Sequence, residues 1–368
     1  MRLTLFACVV IAITIARAQN TTSSDQWTTV SEDEKPQNWY QRFELINQIS
    51  LYAYMSIGVL AVICNGIILR VMLKHKPTTP HIYLICIAVC DLLTGVAIIG
   101  NTLMGDKDLL WKYPTLRVVS FHIQVPCFFV KFALGDTSTF VLIALSLDRL
   151  IAIKHPMQHI SWCTVRRARI CCIVLTCFSF VWSTNVLLRF TSIWSPDRQT
   201  SIPAMVYSKT GKLPIVAAIA MHSKFVIQRA VPLFLMGITN TWTIQQVIKG
   251  DRLRRGISNL KEQAGSVKCM GMTLGITAYF LVTNAAAASY ALNQAIDNNR
   301  ALQNASIELS VFLYLLEVVR WTNAFMNFFF YLIFDRKFRQ NTIMMFFGRP
   351  REAPGETSQM TTISFIRK

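Results

Sequence analysis

An aspartate and an arginine stand side by side, as Asp148 and Arg149, where an apolar stretch gives way to a basic loop. Ionisable groups at membrane depth cost roughly 2.5 to 3.5 kcal/mol each on insertion scales, so an ion pair there indicates a function. Asn327 and Tyr331 stand near the end of a later apolar stretch. The chemistry available is reversible pairing of polar groups, and we expect these four residues to form a switch. A static anchor at the interface is the alternative, because arginine side chains snorkel from helix ends.

A second group of polar side chains interrupts the middle of four apolar stretches. Its members are Asn65, Asp91, Ser138, Asn323 and Asn327. An unpaired carboxylate is expensive in hydrocarbon, so we expect these groups to face one another.

Residue types used in covalent and metal chemistry are present but scattered. No CxxC pair, His/Cys cluster or glycine-rich phosphate loop is evident, and Ser, His and Asp residues follow no nucleophilic pattern. We expect no enzymatic activity.

The elements that must position these residues follow from composition. Hydrophobic residues make up 53% of the chain and charged residues 15%, which is too apolar for a soluble protein of 368 residues. Seven apolar stretches each supply the roughly 20 residues that a helix needs to cross hydrocarbon. They cover residues 51–73, 82–104, 118–147, 170–190, 225–248, 267–292 and 307–334. The sequence therefore predicts an all-α membrane protein with a seven-helix bundle over residues 51–334.

Residues 1–18 have the pattern of a cleaved signal peptide. Arg2 precedes an apolar stretch, which ends in the small-x-small sequence from Ala16 to Ala18. An eighth membrane helix is the alternative, although the stretch is short for a full span. Cleavage would leave residues 19–50 as an extracellular N-terminal segment.

Two independent patterns orient the chain in the cell membrane. The segments expected in the cytoplasm hold 21 Lys and Arg residues, against 10 in the outer segments. The two glycosylation sequons, at Asn20 and Asn304, are separated by six spans and therefore lie on one face. We expect the N-terminus to be extracellular and the C-terminus cytoplasmic.

The net charge of +18 follows from this orientation. A basic cytoplasmic face suits anionic membrane lipids and a protein partner, and nothing in the sequence calls for nucleic acid.

An ordered set of motifs resembles the rhodopsin-like (class A) G-protein-coupled receptors over residues 45–345. The motifs are Asn65-Gly66, Leu84 with Ala88 to Leu92, Ser146 to Pro156, Pro232, and Asn323 with Asn327 to Tyr331. The segment from Asp148 to Met157 looks most like the invertebrate FMRFamide-type peptide receptors and the related nematode Srw-type chemoreceptor-like class.

The resemblance implies a mechanism and a set of partners. Asp91, Ser138, Asn323 and Asn327 would hold a sodium ion and water at rest, with a purely structural hydrogen-bond network as the alternative. On activation Arg149 would leave Asp148, Tyr331 would swing inward, and a heterotrimeric G protein would bind.

The resemblance also predicts the organisation of the C-terminal region. Residues 335–347 look like the short amphipathic helix that lies on the inner membrane surface, followed by a cytoplasmic tail over 348–368. Phosphorylation of the tail could recruit an arrestin-like partner. The candidate sites are Thr357, Ser358, Thr361, Thr362 and Ser364.

Several family features are missing. The cysteine expected at the top of the third span falls at Gln124, and Cys127 has no partner because residues 191–222 contain no cysteine. The aromatic and proline residues expected in the sixth span are absent from residues 280–286, so we expect that helix to be straighter or bent by other means.

The family's pocket positions predict where a ligand binds. They are Lys131, Lys224, Gln228, Arg229, Asn284, Glu317 and Arg320. Lys131 replaces the aspartate of amine receptors, which argues against an amine ligand. Glu317 and Arg320, three residues apart, would pair on one helix face, and the remaining positive charge suits an acidic group. Alternatively, Lys131 and Glu317 would form a resting lock.

Three functions remain open at this point. A receptor for a neuropeptide-like ligand is favoured over a chemosensory receptor for a small acidic, pheromone-like ligand. A receptor that binds without coupling is the third, because the losses in the sixth span affect the part that moves. Transport is disfavoured, since the chain shows neither repeated halves nor broken helices.

Overall fold

The computed structural model describes residues 35–74, 77–194, 202–255, 273–285, 287–288 and 315–347. Helices cover the described parts of all seven predicted spans. The bounds are α1 Lys35–Met72, α2 Thr79–Gly105, α3 Lys107–Lys112, α4 Pro114–Lys154, α5 Pro156–Trp162, α6 Val165–Arg189, α7 Pro214–Phe225, α8 Val231–Arg255, α9 Asn323–Phe334 and α10 Arg336–Phe347. Residues 273–285 and 315–321 are helical as well.

Four of the described helices are long and apolar enough to cross a membrane: Gln48–Met72, Thr79–Gly105, Pro114–Lys154 and Val165–Arg189. The third is much longer than the predicted stretch 118–147, because the helix continues past the hydrocarbon into the basic segment that ends at Lys154. Apolar composition marks the thickness of the hydrocarbon and does not mark the end of a helix.

Small residues bring α1 and α2 together. A Cβ added at Gly95 would lie 2.8 Å from the Gly58 carbonyl oxygen and 2.9 Å from Ala61 Cβ. In a membrane the close approach of backbones supplies van der Waals contact that lipid tails cannot replace. This contact positions the second span, which carries Asp91.

The fifth span changes its winding in the middle. Residues Val226–Ala230 form one π-helical turn between α7 and α8. Pro232 has no N–H, so the carbonyl of Gln228 one turn earlier loses its usual helical donor. Arg229 Nη1 donates to that carbonyl at 3.3 Å instead. The turn thereby aims Gln228 and Arg229 into the bundle, where both are buried.

An antiparallel hairpin covers the outer end of the bundle. Strands β1 (Phe190–Trp194) and β2 (Pro203–Tyr207) pair from Phe190 opposite Tyr207 to Trp194 opposite Pro203. Trp194 stacks on Phe121 of α4 with ring centroids 4.8 Å apart. Cys127 is a free thiol, so the hairpin is attached to α4 by packing of rings.

Helix α10 lies where the surface helix 335–347 is expected. Asp335 caps it by accepting from the Phe338 N–H at 3.1 Å. Phe338 is buried against Tyr331 and Phe328 of α9. The packing of this one ring fixes the surface helix to the end of the seventh span.

Candidate functional site

The C-terminal end of α4 carries the expected ion pair. Arg149 Nη2 lies 3.3 Å from Asp148 Oδ2, and the Asp148 side chain is 2% exposed. His159 Nε2 of α5 lies 3.3 Å from the other carboxylate oxygen. Helix α5 therefore folds back onto the carboxylate of Asp148, a contact that the periodicity of the chain does not predict.

A thiol completes this cluster. Cys163 hydrogen-bonds Asp148, and burial together with the negative charge of that carboxylate raises the pKa of the thiol to about 11. The thiol therefore carries its proton at neutral pH and is the donor. The expectation that no His/Cys cluster forms is wrong, because His159 and Cys163 stand one helical turn apart and meet Asp148 from another element.

The polar residues of the bundle interior meet only in part. Asn327 Nδ2 donates to Asp91 Oδ2 at 3.0 Å, and Ser138 hydrogen-bonds the same carboxylate. Asn65 instead donates to the Ala324 carbonyl oxygen at 2.6 Å, which ties the first span to the seventh. Asn323 turns away to donate to the Thr283 hydroxyl at 2.7 Å.

A small cavity of about 50 Å³ lies beside Asp91. Its polar lining includes Ser138, Asn323, Asn327 and Asn284. The side chain of Asn284, a predicted pocket residue, faces this inner cavity and donates to the Phe280 carbonyl at 3.0 Å, and Arg320 lines the same cavity. The place of Asn284 in the ligand pocket stays a prediction. Since a site for one water needs roughly 10 to 15 Å³, the cavity has room for a hydrated sodium ion, and its oxygens are the type that hard cations bind.

Lys131 lies in a cage of aromatic rings nearer the outer face. Its Nζ is 4.8 Å from the ring centroid of Phe128, 5.0 Å from that of Trp321, 5.2 Å from that of Phe132 and 5.5 Å from that of Tyr54. Ring faces carry partial negative charge and attract an ammonium group. Four rings from three spans thus hold one cation that is 6% exposed.

The nearby acids are already paired with other residues. Glu317 Oε1 lies 3.0 Å from Arg320 Nη2, as the spacing predicts, and 3.7 Å from Arg229 Nη2. The alternative of a Lys131 to Glu317 lock is wrong for this conformation, because no ion pair within 4 Å joins the two. The two arginines occupy the carboxylate that the lock would require.

Asp136 is a buried acid beside the pocket that the sequence reasoning missed. It is 3% exposed, and its Oδ2 accepts from Gln228 Nε2 at 2.7 Å. The cations of the predicted pocket therefore interact electrostatically with two acids, of which the sequence reasoning identified only Glu317. The signal was available, since an acid in the middle of an apolar stretch is a functional candidate by default.

Two cavities adjoin the Lys131 cage. One of about 370 Å³ is lined by Lys131, Lys224 and Glu317 among other residues, and one of about 200 Å³ reaches Arg189 at the end of α6 and Tyr207 of the outer hairpin. Phe128, Phe132 and Lys224 line both cavities.

Tyr331 is almost fully buried, and its ring packs against Phe338.

The sequons at Asn20 and Asn304, the signal peptide and the tail hydroxyls from Thr357 to Ser364 lie outside the described residues. Those expectations stay predictions.

Comparison with known proteins places this geometry in a family. Residues 62–331 match the family described as the 7 transmembrane receptor (rhodopsin family). A cysteinyl leukotriene receptor 1 of Sus scrofa is 24% identical over 64% of this chain and 66% of its own length. The FMRFamide receptor of Drosophila melanogaster is 22% identical over 80% of this chain and 53% of its own length. The neuropeptide FF receptor 1 of Rattus norvegicus is 23% identical over 45% of this chain and 35% of its own length.

The chain thus spans just under two thirds of the length of the leukotriene receptor and about half of the FMRFamide receptor. The family match extends from the first span to Tyr331 and includes both the Asp148-Arg149 pair and the Asp91-Asn327 hydrogen bond. The chain therefore belongs to the rhodopsin family of seven-transmembrane receptors, which are multi-pass membrane proteins.

Proposed function

We propose that this chain is a cell-surface receptor that binds an extracellular ligand and activates a heterotrimeric G protein. The excess of Lys and Arg in the expected cytoplasmic segments supports an extracellular N-terminus and a cytoplasmic C-terminus. The pairing of Arg149 with Asp148 supports a resting state in which the arginine is withheld from a partner. Sodium at Asp91 would stabilise that state by neutralising a buried carboxylate.

We propose a neuropeptide-like ligand. Relatives named for FMRFamide and neuropeptide FF support this class, and the two adjoining cavities offer separate places for neighbouring side chains. A peptide longer than the pocket would extend out of it through the cavity that reaches the hairpin.

The observation that carries the proposal further is the pairing of charges. In the described part of the bundle, no carboxylate lies within 4 Å of the Nζ of Lys131 or Lys224, whereas Glu317 and Asp136 are engaged by other residues. Two cations in a cavity of low dielectric attract an anion strongly. The ligand therefore places an acidic group between these lysines, and a peptide would supply a free C-terminal carboxylate.

A small acidic ligand, as in a chemosensory receptor, is the second candidate. The aromatic cage favours it, because rings on several sides of one ammonium group fit an apolar molecule that ends in a single acid. The relatives named for cysteinyl leukotrienes and those named for peptides do not decide between the two classes.

Matched ligand pairs test both candidates. Cells that express the receptor with a promiscuous G protein are given peptides as free acids and as amides, and small carboxylates together with their methyl esters, with calcium as the readout. We expect an acid to act, and its potency to fall at least tenfold in Lys131→Gln and Lys224→Gln. Lys212→Gln is the control, because that lysine is exposed outside the cavities. An agonist that prefers the amide or ester and ignores both substitutions would overturn the acid pocket.

Binding without a calcium signal would identify a non-coupling receptor.

Recruitment of arrestin by the phosphorylated tail is a separate proposal that rests on the hydroxyl cluster from Thr357 to Ser364. We also propose that the basic inner face contacts anionic lipids.

A further inference from the structure

Three side chains with metal-binding atoms converge at the cytoplasmic end of α4. A carboxylate oxygen of Asp148, an imidazole nitrogen of His159 and the sulfur of Cys163 all lie within 4.8 Å of one another. The nitrogen and the oxygen are already 3.3 Å apart. These residues come from two elements, so their meeting is a product of the fold.

The backbone holds the three groups in place. His159 and Cys163 are four residues apart, and the Cys163 N–H donates to the His159 carbonyl at 2.8 Å. Thr79, at the start of α2, donates from its hydroxyl to the Cys163 carbonyl at 2.7 Å. Asp148 is buried on the long helix α4. The cluster is therefore anchored to two spans.

Carboxylate, imidazole and thiolate are the ligands that Zn²⁺ takes, and three protein ligands with one open position is a common arrangement. Nitrogen and oxygen atoms bound to one tetrahedral zinc at the usual bond lengths stand about 3.3 to 3.4 Å apart, and either stands about 3.5 to 3.6 Å from a bound sulfur. The histidine and aspartate atoms already match this spacing at 3.3 Å, and a rotation about the Cys163 side-chain bond would bring the sulfur closer. The thiol gives up its proton to solvent as the metal bonds, with no change of oxidation state.

The surrounding charge decides how such a site behaves. Arg149 lies against the second oxygen of Asp148, and Arg167 is also near Cys163. A divalent cation on the carboxylate competes with the guanidinium for the same negative charge. Occupancy of the site and release of Arg149 are therefore linked.

We propose that Asp148, His159 and Cys163 form a zinc-binding site at the cytoplasmic face, and that bound zinc weakens the pairing of Asp148 with Arg149. The binding part stands by itself. The signalling part rests on the proposed function, which gives Arg149 a role in coupling. By linkage, the signalling part predicts that zinc favours the state in which Arg149 has left Asp148.

Cobalt is the probe for the binding part, because it occupies zinc sites and a bound thiolate gives it a charge-transfer absorption. The full chain, purified in micelles without a histidine tag, is titrated with Co²⁺ and then with Zn²⁺. We expect a thiolate-to-cobalt band that Zn²⁺ removes. Cys163→Ser should abolish the band, and His159→Gln should weaken cobalt binding at least tenfold.

Cys177→Ser and His155→Gln are the matched controls, because Cys177 is exposed in α6 and His155 is exposed in the same loop. Both should keep the band. A native chain without the band, or a band that survives Cys163→Ser, would overturn the site.

A second measurement does not depend on the variants folding. In membranes, Zn²⁺ should slow the alkylation of Cys163 by a maleimide at least tenfold, and a chelator should restore the rate. An unchanged rate contradicts the proposal. If zinc binds but leaves basal G-protein activation unchanged while Asp148→Asn raises it, the site stands and only the linkage to Arg149 fails. If neither changes activation, the coupling role that the proposed function gives to Arg149 fails, and the pair is a static anchor.

Discussion

The guanidinium of Arg229 lies 3.7 Å from the carboxylate of Glu317, so a charge pair joins the fifth span to the seventh. Arg320 approaches the same oxygen from within the seventh span. Arg229 is 2% exposed and Glu317 13% exposed at the side chain. One acid thus pairs with two buried cations, and the pocket depends on it for stability as well as for charge.

Glu317→Gln should therefore destabilise the receptor. Removing one partner of a buried ion pair leaves an uncompensated charge and costs about 3 to 5 kcal/mol. Thermal unfolding of the purified protein in micelles measures the loss. Val319→Ala, on an exposed neighbour, should change the free energy of unfolding by no more than about 0.5 kcal/mol. Equal melting temperatures for the two variants would contradict the assignment.

The contact between the first two spans makes Gly95 sensitive to substitution. Gly95→Ala forces a methyl group against the Gly58 backbone, and strain of this kind costs about 1 to 3 kcal/mol. Gly66→Ala is the matched control, because an added Cβ there meets nothing within 4 Å. Alanine is otherwise the better helix former by roughly 0.5 to 1 kcal/mol, so the control should melt no lower than the native chain. A Gly95→Ala variant that also melts no lower would rule out the contact.

Sodium should stabilise the resting receptor through Asp91. We expect the melting temperature to rise with NaCl and to stay unchanged with N-methylglucamine chloride at the same ionic strength, because only the small cation fits beside the carboxylate. Asp91→Asn removes the charge and should abolish the difference between the two salts. Salts that act alike on the native chain would favour a purely structural hydrogen-bond network.

Asp148→Asn should raise basal G-protein activation. The neutral amide pairs weakly with Arg149, and a loss of about 1 kcal/mol shifts the population of the free arginine roughly fivefold. Nucleotide exchange on a purified G protein measures the change. Asp108→Asn, on the exposed first turn of α3, should leave exchange at the native level. Basal exchange that does not rise in Asp148→Asn would mean that the pair is a static anchor.

Features that depend on local composition could be predicted from the sequence. The seven spans follow from the thickness of hydrocarbon, and the hydrogen bond between Asp91 and Asn327 follows from the cost of leaving a carboxylate unpaired there. The pair of Glu317 and Arg320 follows from helical spacing. In each case a single rule is enough: either the spacing of residues along one helix or the cost of placing a polar group in hydrocarbon.

Features that depend on packing between spans could not be predicted. The Lys131 cage draws Tyr54, Phe128, Phe132 and Trp321 from three spans, and no periodicity places them together. Asn323 reaches Thr283 because of the rotation of two helices about their axes, which apolar patterns do not fix. Asp136 is different, since an acid within an apolar stretch is visible in the sequence and could have been named as a candidate.

The outer hairpin is attached without sulfur chemistry. Ring stacking of Trp194 on Phe121 and strand pairing hold it, and Ser208 secures its base by accepting from the Gly211 N–H at 2.9 Å. Its attachment therefore requires no oxidising compartment. Cell-free synthesis in a reducing extract, with lipid discs present, should yield receptor whose outer hairpin is correctly formed.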